Sequence, residues 1–154
     1  MTLGESFAFI LDRDLGRVAE QIQAYPDDAT LWTVVPGTLN SGGTLALHLA
    51  GNLEHFIGAV LGKTDYVRDR DAEFGDRDVP RSEILRRIEA CRANVRSALQ
   101  AMTDDDVMAP YPGTSPRGLG EENAHTFLLH LTAHFSWHLG QLDYHRRMLS
   151  GIED

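Results

Sequence analysis

Apolar residues recur at Phe7, Ile10, Leu11, Leu15, Val18 and Ile22, a three-and-four spacing that puts them on one face of a helix. Thr2 and Glu5, a hydroxyl with a carboxylate three residues on, form a capping box at its start. Pro26-Asp27-Asp28 ends it near Tyr25. The pattern returns at Leu45, Leu49, Leu53, Phe56, Ile57, Val60 and Leu61, behind N-cap candidates in Asn40-Ser41-Gly42-Gly43-Thr44, and stops at Gly62. A third stripe, Ile84, Ile88, Cys91, Val95, Ala98 and Met102, is flanked by Leu85 and Leu99 and opened by Pro80-Arg81-Ser82-Glu83. The fourth helix is read from Glu121-Glu122 to Ser150, with Gly151 as the residue that ends it. Phe127, Leu131, Phe135, Leu139 and Leu142 give it apolar surface.

Polar segments separate these elements. Residues 26–40 form a connection anchored by Leu31, Trp32, Val34 and Val35. Residues 63–80 read as a long loop of mixed charge, and residues 103–120 as a second loop rich in Asp, Pro and Gly. Four helices, no strand with a partner and two long connections predict an all-α four-helix bundle, one domain over residues 1–154.

Charge and composition narrow the function. With 23 acidic against 14 basic residues the formal charge is −9, and no basic stripe offsets it, which argues against nucleic-acid binding. No apolar run is long enough to span a bilayer and no leader pattern opens the chain, so no membrane partner and a cytoplasmic location are expected. Cys91 is the only cysteine, which rules out an intrachain disulfide and a CxxC metal knuckle. Its place on the core stripe marks it as a small hydrophobe, not a nucleophile.

The candidate chemistry lies in the stretch from His130 to His145, which holds four of the seven histidines. His130, His134 and His138 climb one helix face in steps of four. Neighbours in this ladder are separated by about 6 Å of rise and can reach one ion, whereas His130 and His138, about 12 Å apart, cannot. At most one adjacent pair can bind a given metal, and spacing does not choose between His130/His134 and His134/His138. Across the bundle, His48, Asn52 and His55 share a face of the second helix. His48 and His55 are both available as a third ligand, about 10 Å apart along that helix. Three neutral imidazoles with one open position describe a catalytic-type Zn, Ni or Fe site. The competing reading is a set of hydrogen-bonded structural histidines lining a polar bundle interior.

The order of these motifs resembles the DinB superfamily, bacterial four-helix-bundle proteins of which many carry a three-histidine divalent-metal site. The resemblance is carried by Asn40, by Leu47-His48-Leu-Ala-Gly51-Asn52-Leu53, by Arg68-Asp-Arg70-Asp-Ala-Glu73-Phe74, and by His134-x3-His138-x-Gly140-Gln141. It covers nearly the whole chain. Carried over residue by residue, it assigns a divalent metal to His48, His134 and His138, and leaves His55, His130 and His145 without a ligand role. It also implies a homodimer.

An ion with an open position acidifies water or a thiol. The helical zinc-protease motif would need Glu after its first His, and Phe135 stands there instead. Glu54 and Glu73 are the nearest carboxylates in sequence. The resemblance implies a metal-dependent enzyme that transfers a low-molecular-weight bacterial thiol, such as mycothiol or bacillithiol, onto an electrophilic small molecule. The alternatives are a non-catalytic metal-binding or stress-response bundle and, third, a metal-dependent hydrolase. Gln141, three residues past His138, is a candidate to hold that ring from behind. Arg68 and Arg70 are candidates to bind an anionic substrate, although mixed-sign loops favour internal pairing with Asp69, Asp71, Glu73 or Asp76. Trp32 and Trp137 read as packing residues, and His125 as solvent-facing.

Overall fold

The computed structural model describes residues 1–116 and 122–150. Helix α1 (Leu3–Ala24) opens with the expected capping box: the Thr2 side chain accepts from the Glu5 N–H, and the Glu5 carboxylate accepts from the Thr2 N–H. The apolar stripe of α1 is buried from Phe7 to Ile22. A one-turn helix, α2 (Asp28–Leu31), lies inside the first connection and is capped by Asp27. Leu31 and Trp32 are buried as expected, but Val34 is exposed.

Helix α3 (Gly42–Leu53) starts at Ser41, whose hydroxyl accepts from the Thr44 N–H. Its last part, residues Glu54–Ala59, has π geometry, with Val60 N–H bonded to His55 C=O and Gly62 N–H to Ile57 C=O. Every residue of α3 is buried, because the helix is packed by its bundle neighbours and also covered by the charged segment that follows.

That segment is not only loop. Residues Arg70–Gly75 form α4, capped by the Asp69 side chain on the Ala72 N–H, with Asp71 and Glu73 in the first turn where acids suit the helix dipole. Helix α5 (Arg81–Gln100) buries Ile84, Ile88, Cys91, Val95 and Ala98 of the predicted stripe, while Met102 lies past its end and is half-buried. The second long connection also holds a short helix, α6 (Asp104–Met108), whose Thr103/Asp106 capping box supports only one turn or so. Helix α7 (Ala124–Ser150) begins later than Glu121-Glu122. Asn123 Oδ1 accepts from the Thr126 N–H, so an asparagine and not the glutamates marks the start. Glu121 and Gly151 lie outside the described residues.

α1 packs against α5 and α7, and α3 packs against α5 and α7, which makes the four long helices a bundle. The core runs through it from Phe7, Leu11 and Leu15 to Ile88, Val95, Phe127 and Phe135. Among the described residues there is no strand, only an isolated bridge between Pro110 and Asn123. Among the described residues, no helix is long and apolar enough to cross a membrane. Trp137 departs from expectation. Phe127, Leu131, Phe135 and Leu142 fill the inner face of α7, and Trp137, 71% exposed, stands outside with Leu129, Tyr144 and Met148. His125 is partly buried, edge-on to Phe7.

Candidate metal centre

His48 is carried by the fully buried α3, and His134 and His138 lie on successive turns of α7 where the two helices face each other. One ring nitrogen from each of the three lies within 4.8 Å of the others. His48 Nε2 and His134 Nε2 are 3.4 Å apart. Tetrahedral zinc with Zn–N of about 2.0–2.1 Å needs ligand nitrogens about 3.3 Å apart, so this pair is already at ligand spacing. The rings stand nearly perpendicular to one another, at 82° (His48/His134), 88° (His48/His138) and 82° (His134/His138).

Two of the three outer nitrogens, those of His48 and His138, have partners that set the tautomer. His48 Nδ1 lies 3.0 Å from Glu73 Oε2. Facing a carboxylate it donates its proton, which leaves Nε2 with a lone pair for an ion. His138 Nδ1 likewise donates to Gln141 Oε1 at 2.7 Å. Two lone-pair nitrogens therefore point into one small space, and the donor set fits a divalent cation. Glu73 is itself clamped by Arg68, at 2.6 Å from Nε and 2.9 Å from a terminal nitrogen. Burial alone would raise the Glu73 carboxyl, but the hydrogen bonds from His48 and Arg68 outweigh it and hold the group below the ordinary carboxylate range. Gly51 makes this contact achievable, since a Cβ there would run into Glu73 Oε1. α4 is thus the element that carries the carboxylate to His48, and periodicity gave no sign of it.

Burial, then the neighbouring His138, His48, His130 and Arg68, hold the His134 imidazole down to about 4. Burial also lowers His138, partly offset by the hydrogen bond that its Nδ1–H donates to Gln141. Both rings are neutral near pH 7 and available as ligands. A pH dependence follows for the metal-free protein. An unfolded histidine titrates near 6.5, so between about 4 and about 6.5 the unfolded chain binds a proton that folded His134 refuses. His134 therefore makes stability rise with pH across that window and level off above it. Ring NMR of metal-free protein should give a His134 midpoint near 4, and denaturant midpoints should be higher at pH 7 than at pH 5. A His134 midpoint at the ordinary value would remove the cause.

The other histidines have separate positions. His130 is half-buried and stacks on Phe127 and on His134, with ring centroids 6.1 Å and 6.2 Å away. His55 packs edge-on against Phe56. His145 is buried at the far end, where Nε2–H donates to Thr33 C=O at 2.9 Å and Nδ1 accepts from the Tyr25 hydroxyl at 2.6 Å. It ties α7 to the end of α1. Arg68 is taken up by Glu73 and lies over the Phe56 ring, as internal pairing would have it. Arg70 instead lies over the Phe74 ring, 4.8 Å from its centroid. Glu54 turns away to hydrogen-bond Asn94 on α5.

The triad stands between two cavities. One, about 370 Å³, is lined by His48 and His134 with Asn52, His55, Arg70 and His130. The other, about 460 Å³, is lined by His138 with Leu39, Leu45, Tyr144 and Met148.

The fold is a helical bundle, a class in which three imidazoles facing inward between helices could hold a metal ion. Within that class, the chain belongs to the DinB superfamily, whose family model matches residues 10–142. The crystal structure of a DinB-like protein from Bacillus cereus ATCC 10987 is similar, with a TM-score of 0.63 and 19% identity over 91% of each chain. At that identity the likeness speaks to the fold alone. No curated protein matches the chain.

Proposed function

We propose that the protein is a divalent-metal-dependent enzyme that conjugates a small thiol to an electrophilic small molecule. The observation that carries this reading is the triad's position: three imidazoles converge, with His48 and His134 lining one cavity and His138 lining another. Two reactants can approach one ion from opposite sides. An ion held by His48, His134 and His138, with Zn, Ni or Fe suited to an all-imidazole set, would supply the charge that turns a thiol into a thiolate. The chain's own residues then bind, orient and exclude water.

Hydrolysis is less well served. Among the described residues lining the two cavities there is no Asp or Glu to act as a general base on water. Glu73 is committed to His48 and Arg68. A purely structural ion would need a fourth protein ligand, and the cluster holds three.

Cobalt-substituted protein tests the reading. Adding 2-mercaptoethanol should produce a thiolate-to-cobalt absorption band, and a fluorogenic electrophile should then be conjugated faster than by thiol alone. A cobalt spectrum indifferent to thiols would sink the thiol reading.

A further inference from the structure

The polar cavity beside the triad is unusual for this chain. The protein carries a formal charge of −9, yet the described residues lining this cavity include two arginines and four histidines and no carboxylate. Arg68 has its charge met by Glu73. Arg70 makes no ion pair with a described residue; it is exposed and lies flat over the Phe74 ring, which fixes its guanidinium without neutralising it. Asn52, 7% exposed, also lines the cavity, with its carboxamide oxygen itself shielded from solvent. An arginine paired with no described carboxylate, in a cavity wall that has no carboxylate of its own, is complementary to an anion.

We propose that this cavity, lined by Asn52, His55, Arg70 and His130, binds a small carboxylate-bearing molecule whose anionic group is met by Arg70. This names the class of the polar reactant and so rests on the metal-dependent conjugation reading above. The cavity's volume of about 370 Å³ suits a molecule of a few tens of heavy atoms at most. The ligand's reactive end lies toward His48 and His134, which share the cavity wall, and its carboxylate lies toward the Arg70 side. The cavity on the His138 side, with Leu39, Leu45, Tyr144 and Met148, then receives the apolar reactant.

The experiment uses the full chain, metal-loaded, with two matched pairs of probes. Succinate against its neutral diamide, followed by the ring NMR signals of His55 and His130, asks about charge without a thiol. 3-Mercaptopropionate against 3-mercaptopropanamide, followed on the cobalt protein, asks the same with one. Each anion is expected to bind about tenfold more tightly than its neutral partner. Arg70→Ala should abolish that preference, Arg70→Lys should restore part of it, and neither should change metal content. Equal affinity for charged and neutral probes overturns the proposal. So does a preference that survives Arg70→Ala, since the anion is then held elsewhere. If succinate shows the Arg70-dependent preference while no thiol perturbs cobalt, the anion site stands and the thiol reading falls. If both thiols bind cobalt equally, the reverse holds.

Discussion

His134→Ala is expected to abolish stoichiometric binding of a divalent ion and, with it, the metal's effect on thermal unfolding. An ion that binds only the folded chain, at a free concentration a thousandfold above its Kd, adds about 4 kcal/mol. For a domain of this size that is a rise of roughly 8–16 °C in Tm. The triad is the physical basis. His134 is the middle member, 3.4 Å from His48 through their Nε2 atoms and one turn from His138, so its loss leaves two nitrogens with no third to close the set. His48→Ala should do the same from the other helix. His130→Ala is the control: it shares the ladder and stacks on His134, but does not belong to the convergent group, and should keep its metal. Elemental analysis after reconstitution, paired with Tm with and without ion, reads all three. One ion per chain in His134→Ala at parental affinity, or none in the native protein, would overturn the centre.

Much of this was legible in the chain because the periodic elements are long. The stripes of α1 and α5 have enough turns for spacing to outweigh local composition, and all but Ile10 and Met102 are buried as read. The ladder of histidines could be seen the same way, and the rise per residue already forbade using it whole. What spacing could not decide was which pair turned toward α3, because that depends on how two helices are rotated against each other. The short helices were missed for another reason. α4 has six residues and α6 five, too few to show a period, and their polar composition reads as loop. The caps Asp69 and Thr103 were present but were outweighed by the run of charges around them. Trp137 was misjudged by residue type: a large aromatic suggested packing, whereas its place on α7 leaves it outside. Glu73 stood out in the sequence as a nearby carboxylate and a partner for Arg68, but its contact with His48 did not, because it comes from a short helix whose composition reads as loop. Gly51 in the His48 motif was the available signal: a glycine inside a helix asks what approaches it.

Glu73→Ala should have the second largest effect, and it should appear in two separate measurements. In metal-free protein the loss leaves the Arg68 guanidinium, whose side chain is 13% exposed, without its carboxylate. Removing one partner of a buried pair costs about 3–5 kcal/mol, and the lower end applies because Arg68 keeps some solvent and its Phe56 contact. The denaturant midpoint should fall accordingly. In metal-loaded protein the same change removes the acceptor that holds His48 with its Nε2 lone pair aimed at the centre. Loss of such an orienting group typically lowers metal affinity about 10–100-fold. Arg68→Ala separates the two effects. It breaks the ion pair and loosens the α4 segment but leaves a carboxylate beside His48, so stability should fall while affinity stays near the parental value. If affinity tracked stability equally in both variants, Glu73 would be only a fastening of α4 to α3. If Glu73→Ala bound metal as tightly as the native chain, the carboxylate–histidine contact would have no part in shaping the site. The expected split, stability lost in both and affinity lost in one, follows from the two oxygens of a single side chain. Oε1 faces Arg68 alone, and Oε2 is shared between Arg68 and His48.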